Sequence, residues 1–179
     1  MPLSQPVPRE FLHHRSIDLR GYHREDGDID VEAHLLDTKT YGFDTSEHHV
    51  STGEPVHEMW LRFTVNERRV IVACEAVTEH GPYSICPQAA PNFSALAGLS
   101  LERGFLKAAG ERVGGVHGCT HLRELLQQMA TVALHTLQSA WRAKTSSVTS
   151  GKALVNSCLA FADNGAVVKR LFPELSRDP

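Results

Sequence analysis

The sequence has no run of Lys and Arg, and its 18 basic residues stand against 21 acidic ones for a net charge of −3. Nucleic acid or an anionic membrane surface would select a basic patch, so that balance argues against either as the main partner. Long apolar runs are missing too. No stretch approaches the roughly 20 apolar residues that span a bilayer, and the opening MPLSQPVPRE lacks the apolar core of a signal peptide. A cytoplasmic location is the expectation. Cysteine is scarce, and the four present (Cys74, Cys86, Cys119 and Cys158) lie far apart with no paired spacing. That pattern suits free thiols or ligands, not a disulfide framework. There is no glycine-rich phosphate loop of either usual type, no internal repeat, and no low-complexity tract beyond a short TSSVTSG.

What is present reads as one domain with an extension. A chain of 179 residues can bury a sizeable core, so it needs no structural metal simply to fold, and a metal here would serve chemistry. Residues 1–12 carry three prolines and form an irregular arm. Ser16–His23 and Asp28–Leu36 alternate apolar and polar residues around an Asp26-Gly27 turn, which predicts a β-hairpin. Residues 37–55 read as a long polar loop. A second hairpin is predicted from Glu58–Val65, a turn at Asn66–Arg69, and a return strand Val70–Thr78 with Cys74 on its core face. The period then changes. Tyr83–Ala97 has helical spacing interrupted by Pro87 and Pro91, and Leu101–Arg112 reads as a short helix stopped by Gly114-Gly115.

The longest helix is predicted from about Thr120, an N-cap candidate, to Ala143. Its stripe is Leu122, Leu125, Leu126, Met129, Ala133, Leu137 and Trp141. Residues 145–151 read as a linker, and 152–179 as a C-terminal extension packing on the 1–144 domain. In that extension a strand pair is expected around Asp163-Asn164-Gly165, with Cys158 buried. Strands first and helices later implies an α+β fold, a small antiparallel sheet from two hairpins with helices on one face.

The chemistry-bearing residues cluster at element starts. In His117-Gly118-Cys119-Thr120-His121 a thiol and an imidazole lie two apart where a helix begins. Helix-terminal amides favour the thiolate, the metal-binding form. Cys86, before Pro87, sits at a second helix start. His57-Glu58 opens the third long strand, and because neighbours on a strand point to opposite faces, only one of the two enters a ligand shell. Two Cys and one His with a further His or Glu suit four-coordinate Zn²⁺ or a thiolate-bound mononuclear iron. The candidate ligands are His57, Cys86, Cys119 and His121; four closed around the ion make a structural site, three with an open position a catalytic one. His13-His14 and His48-His49 read as solvated loop histidines, and Asp26–Asp30 as turn chemistry lacking the Glu of a calcium loop.

The opening Val7-Pro8-Arg9-Glu10 and the residues Gly21–Gly27, Asp37-Thr38-Lys39, His57–Leu61, Cys86-Pro87, Gly114-Gly115, Gly118–Leu122 and Glu124–Leu126 resemble a bacterial family known as domain of unknown function 2889, over nearly the whole chain. That resemblance implies no activity. Residues 56–134 also look like the IscU/NifU-type iron–sulfur scaffold proteins. The scaffold's Cys-Gly-Asp falls at Val56-His57-Glu58, its second Cys at Cys86 and its His-Cys pair at Gly118-Cys119. The resemblance implies an IscU/NifU-like core, with His57 near the place of the missing first Cys and His121 replacing the lost His. The glycine-rich context of the second Cys is absent.

The expected function is a metal-binding protein, and more finely a metal-dependent lyase or hydrolase acting on a small organic substrate. In that reading the metal acts as Lewis acid or water activator, and Glu58, His117 or Lys39 is the acid or base. An iron–sulfur or metal carrier, a metal-free enzyme with Cys119 as nucleophile, and a non-catalytic ligand-binding protein remain as alternatives. A sheet edge or the long helix offers a homodimer surface.

Overall fold

The computed structural model describes residues 2–144 and 154–177, with side chains described through 140 and again from 154. The linker expected at 145–151 and the side chain of Trp141 lie outside the described residues. Two compact units are present, Met1–Leu137 and Gln138–Pro179, each taken by itself below.

In the first unit the alternating segments form the strands β1 (His13–His23), β2 (Ile29–Lys39), β3 (Phe43–Asp44), β4 (His49–Val50), β5 (Pro55–Val65) and β6 (Ile71–His80). Four of them make an antiparallel sheet of order β1-β2-β5-β6, and β3 pairs with β4 in a small separate ribbon. Gly27 turns the first hairpin at φ 95°, a left-handed conformation open to glycine because it has no Cβ. Asn66 shapes the second turn by accepting the N–H groups of Arg68 and Val70, each at 3.0 Å.

The helical half follows. Pro87 and Pro91 cannot donate to an α-ladder, and Cys86–Leu96 accordingly runs as 3-10 turns. The helix α1 covers Phe105–Val113, a 3-10 turn spans Gly115–His117, and α2 covers Thr120–Lys144. The odd positions Ile29, Val31, Ala33 and Leu35 of β2 pair with Val65, Phe63, Leu61 and Met59 of β5. These eight are buried with Phe93, Leu96, Val113 and the α2 stripe Leu122, Leu125, Leu126, Met129, Ala133 and Leu137. The α+β expectation of helices on one face of a small antiparallel sheet is thus what the chain builds.

Several local expectations are corrected. Residues 37–39 continue β2 instead of opening a loop, and residues 43–50 hold the β3–β4 ribbon. His13 and His14 lie in β1, not in a loop. Val72 is exposed because β6 shifts register between Val65 and Thr64 of its partner strand. Cys74 and Ala76 still pack against the core. Cys119, not Thr120, holds the N-cap place of α2, since its carbonyl accepts the Arg123 N–H at 3.0 Å.

The second unit contains the helix α3 (Ala166–Leu171) between 3-10 turns at Leu159–Phe161 and Pro173–Leu175. No strand pair forms among its described residues. The chain after Gly165 satisfies its backbone locally, with Lys169 N–H donating to the Gly165 carbonyl at 3.0 Å and Phe172 N–H to Val168 at 2.8 Å. Cys158 is exposed, not buried.

Candidate functional site

The inner face of the sheet changes chemistry at its last row. Continuing the alternation from Leu35 and Met59 places Asp37 of β2 opposite His57 of β5, and Asp37 opposite Arg15 of β1. An Arg–Asp–His row therefore crosses three strands on the face that carries the core. Beside it the register slips between Asp37 and Thr38, because β5 carries the extra residue Val56. A bulge of this kind re-aims side chains at a sheet end.

Asp37 is fully buried, and a buried carboxylate is tolerated only when its lone pairs are taken. All are occupied. The Arg15 fork donates Nε–H to Oδ1 and Nη2–H to Oδ2, both at 2.7 Å. His13 Nε2 lies 3.3 Å from Oδ1 and His57 Nδ1 3.1 Å from Oδ2. Burial pushes the Asp37 carboxyl up, but the Arg15 bonds and charge outweigh it, and the group titrates below its ordinary value. Arg15 also reaches α2, its Nη1 donating to Glu124 Oε2 at 2.6 Å.

The other wall of the site is the start of α2. Gly118 packs so closely on the Val113 carbonyl that no Cβ fits there, and this contact sets the path of Cys119 and His121. The His121 ring meets the His57 ring with centroids 3.8 Å apart. Burial lowers the pKa of His57, helped by His121, and Asp37 only partly opposes it. Burial lowers that of His121 as well, helped by Arg15. Both imidazoles are therefore neutral at pH 7, the state in which they are metal ligands. Since the Asp37 carboxylate only accepts, His57 carries its proton on Nδ1 and its lone pair on Nε2.

Asp37, His57 and His121 each offer a ligand atom within 4.8 Å of the others. Cys119 lies outside that group, yet its Sγ is 3.8 Å from His121 Nδ1 and 3.9 Å from Met59 Sδ. Zinc bond lengths and tetrahedral angles place sulfur and nitrogen ligands about 3.6 Å apart, so that pair could share an ion with little movement. His57, Cys119 and His121 line one cleft of about 570 Å³, and Cys86 lines it too.

The candidate acids and bases lie elsewhere. Glu58 projects from the opposite sheet face, between His34 Nε2 at 3.0 Å and His80 Nδ1 at 3.1 Å, which leaves His57 as the member of the pair that faces the cleft. Lys39 Nζ donates to Tyr41 Oη at 2.9 Å and sits over the Tyr41 and Phe43 rings. His117 is exposed, and its carbonyl accepts the Asn92 side-chain N–H at 2.9 Å. Neither Lys39 nor His117 lines the cleft.

The family described as "Protein of unknown function (DUF2889)" matches residues 13–135. The chain belongs to this family. The matched segment starts with the first residue of β1 and ends within α2, so it contains the sheet, the cleft and every side chain of the Arg15–Asp37–His57–His121 cluster. No curated protein and no solved structure matches this DUF2889 chain, and the likeness of residues 56–134 to iron–sulfur scaffolds has no counterpart among them. No helix among the described residues is long and apolar enough to cross a membrane.

Three residues of the DUF2889 cluster were not singled out by their chemistry in the sequence: Arg15, Asp37 and Glu124. Asp37 had a signal. The period of two through Val31, Ala33 and Leu35 puts residue 37 on the buried face, and a carboxylate there demands a partner. Arg15 and Glu124 had none, because their pairing joins β1 to a helix more than a hundred residues away.

Proposed function

We propose that this DUF2889 chain holds one divalent transition-metal ion at His57, His121 and Cys119, and uses it in chemistry on a small organic substrate in the adjoining cleft. The observation that carries the reading is the approach of two imidazoles that line the cleft, one of them hydrogen-bonded to a buried carboxylate. Asp37 acts from behind. Its oxygens already accept two bonds from Arg15 and one from His57 Nδ1, and the last of these leaves Nε2 for the ion, the carboxylate–histidine–metal arrangement that raises ligand basicity. The three ligands come from β5 and the start of α2, two elements fixed by the core, so the site is held by the fold itself.

A bound ion would supply Lewis acidity or an activated water at neutral pH. The chain's own contribution is to keep both imidazoles unprotonated, to hold the thiol beside His121 at the start of α2, and to shelter the reacting groups in the cleft. With Cys86 lining the cleft but outside the three proposed ligands, a fourth position on the ion would be left to water or substrate. That is the coordination of a catalytic centre rather than a structural one.

The test is metal analysis of the purified chain, followed by substitution with Co²⁺ in the wild type and in His57→Ala, Cys119→Ser and Cys86→Ser. About one ion per chain is expected, with a thiolate-to-cobalt band that Cys119→Ser removes and Cys86→Ser leaves in place. Loss of the ion in Cys86→Ser would make the site a closed structural one. A chain that binds no ion at all, with a Cys119 thiol that alkylates fast whether or not EDTA is present, would replace this reading with a metal-free cysteine nucleophile. A visible chromophore after addition of iron and sulfide would replace it with a cluster carrier.

A further inference from the structure

We infer that the cleft is built for an uncharged, flat apolar molecule, an aromatic ketone, aldehyde or alcohol, rather than for an anionic or cationic metabolite. This rests on the reading that the cleft beside the proposed centre is where the chemistry takes place.

Three observations carry it. The first is charge. None of the residues lining the cleft is Lys, Arg, Asp or Glu. A phosphate or carboxylate group is ordinarily met by Arg, Lys or a cluster of backbone donors, and an ammonium group by a carboxylate or an aromatic cage. Charged side chains that come near are committed elsewhere: Arg15 is held by Asp37 and Glu124, and Glu47 accepts the Ser84 N–H at 2.7 Å. Apart from the ion of the proposed centre, the walls offer an ionic ligand no counter-charge for the water it would lose.

The second observation is the rim. Tyr83 is 47 % exposed, Ile85 65 % and Val116 96 %, and all three line the cleft. Large apolar side chains left in water at the mouth of a cleft gain by being covered. They come from two separate segments, the chain leading into the 3-10 turns at Cys86 and the 3-10 turn before α2. A flat molecule lying between them would cover both sides at once.

The third is the polar pattern. Gln88 and Asn92 supply neutral amide groups on one wall. Asn92 is already held in place by its bond to the His117 carbonyl at 2.9 Å. Uncharged donors and acceptors among apolar walls orient a hydroxyl or carbonyl without selecting a charge, and a volume of about 570 Å³ is in the range of small-molecule sites.

Met59 reports on occupancy, because it lines the cleft, whereas Met129, buried in the core like Met59, does not line it. The experiment is ¹³C-methyl-methionine NMR of the full chain, with the Met59 signal assigned through Met59→Leu. Acetophenone, benzoate, phenyl phosphate and benzylamine are titrated into protein cleared of metal by EDTA, so that the ion's own pull on anions does not enter. Zinc binding is measured separately by calorimetry on the same preparation. Acetophenone is expected to shift Met59 and not Met129, saturably and at least tenfold more tightly than the three charged probes. Tyr83→Ser with Ile85→Ser should weaken it about fivefold or more. A charged probe that binds as tightly as acetophenone, or no shift of Met59 with any probe, overturns the inference. Zinc bound without selectivity for the neutral probe would sink this inference alone; selective binding of the neutral probe by a chain that takes up no zinc in the calorimetry would sink the metal centre alone.

Discussion

Replacing Asp37 by Asn should both loosen the fold and weaken the metal centre, by amounts the structure separates. The carboxylate is fully buried and takes the Arg15 fork at 2.7 Å twice, with His57 at 3.1 Å and His13 at 3.3 Å. An Asn side chain has the same shape, but its amide turns two donors toward donors. Removing one partner of a buried pair costs about 3–5 kcal/mol. Arg15 is one-third exposed and keeps Glu124, so the lower end applies, and we expect about 3 kcal/mol. The control is Glu124→Gln at the exposed end of the same chain of charges, which should cost at most about 1 kcal/mol. Both are read from urea unfolding at pH 7.5 with EDTA. Zinc affinity, measured by competition with a chelating dye, should fall about 10- to 100-fold in Asp37→Asn, as is usual when the carboxylate behind a ligating His is lost. Unchanged stability would refute the ion-pair argument. A loss of zinc as complete as in His57→Ala would show Asp37 to be a direct ligand and refute its place behind His57.

The remaining expectations concern pH, packing and thiol chemistry. His57 and His121 titrate below their ordinary 6.5 in the folded chain, so the unfolded chain binds more protons just below that pH. Metal-free stability should therefore be highest above about pH 6.5 and fall as pH drops toward the folded-state values, with a second loss in strong acid as the depressed Asp37 carboxyl protonates. A urea midpoint flat from pH 7.5 to 5 would contradict this. Gly118→Ala drives a Cβ into the Val113 carbonyl; it should cost about 1–3 kcal/mol in unfolding and abolish zinc binding, because the start of α2 must shift. Burial pushes the Cys74 thiol up to about 12, whereas Cys158 is exposed. Mass-spectrometric alkylation at pH 8 should modify Cys158 first and Cys74 last, and zinc should protect Cys119 specifically.

Local pattern carries much of this architecture. The alternation in Asp28–Leu36 and Glu58–Val65 marks two strands because a pleated chain turns successive side chains to opposite faces. The spacing from Leu122 to Leu137 marks α2 because 3.6 residues complete a turn. Both signals are written within a dozen or so residues, and both appear in the structure with the expected residues buried. Where local pattern is thin, the reading drifted. The turn signal at Asp163-Asn164-Gly165 suggested a strand pair, but the segment after Gly165 closes its own hydrogen bonds as a helix.

The candidate site divides along the same line. Residue type and helix or strand position alone brought His57, Cys86, Cys119 and His121 into consideration, and all four line one cleft. Glu58, next to His57 in the chain, faces the other way because β5 is extended, and only the position of the helices says which face is the inner one. Arg15, Asp37 and Glu124 belong to the cluster through pairings 22 and 109 residues apart. Such contacts depend on strand register and on where α2 lies across the sheet, neither of which any short window encodes. Sequence alone determined the elements and the chemically able side chains, since both follow from local sterics and side-chain chemistry. Only the tertiary structure decided which of those side chains meet, because a buried carboxylate and its partners are brought together by the packing of the whole core.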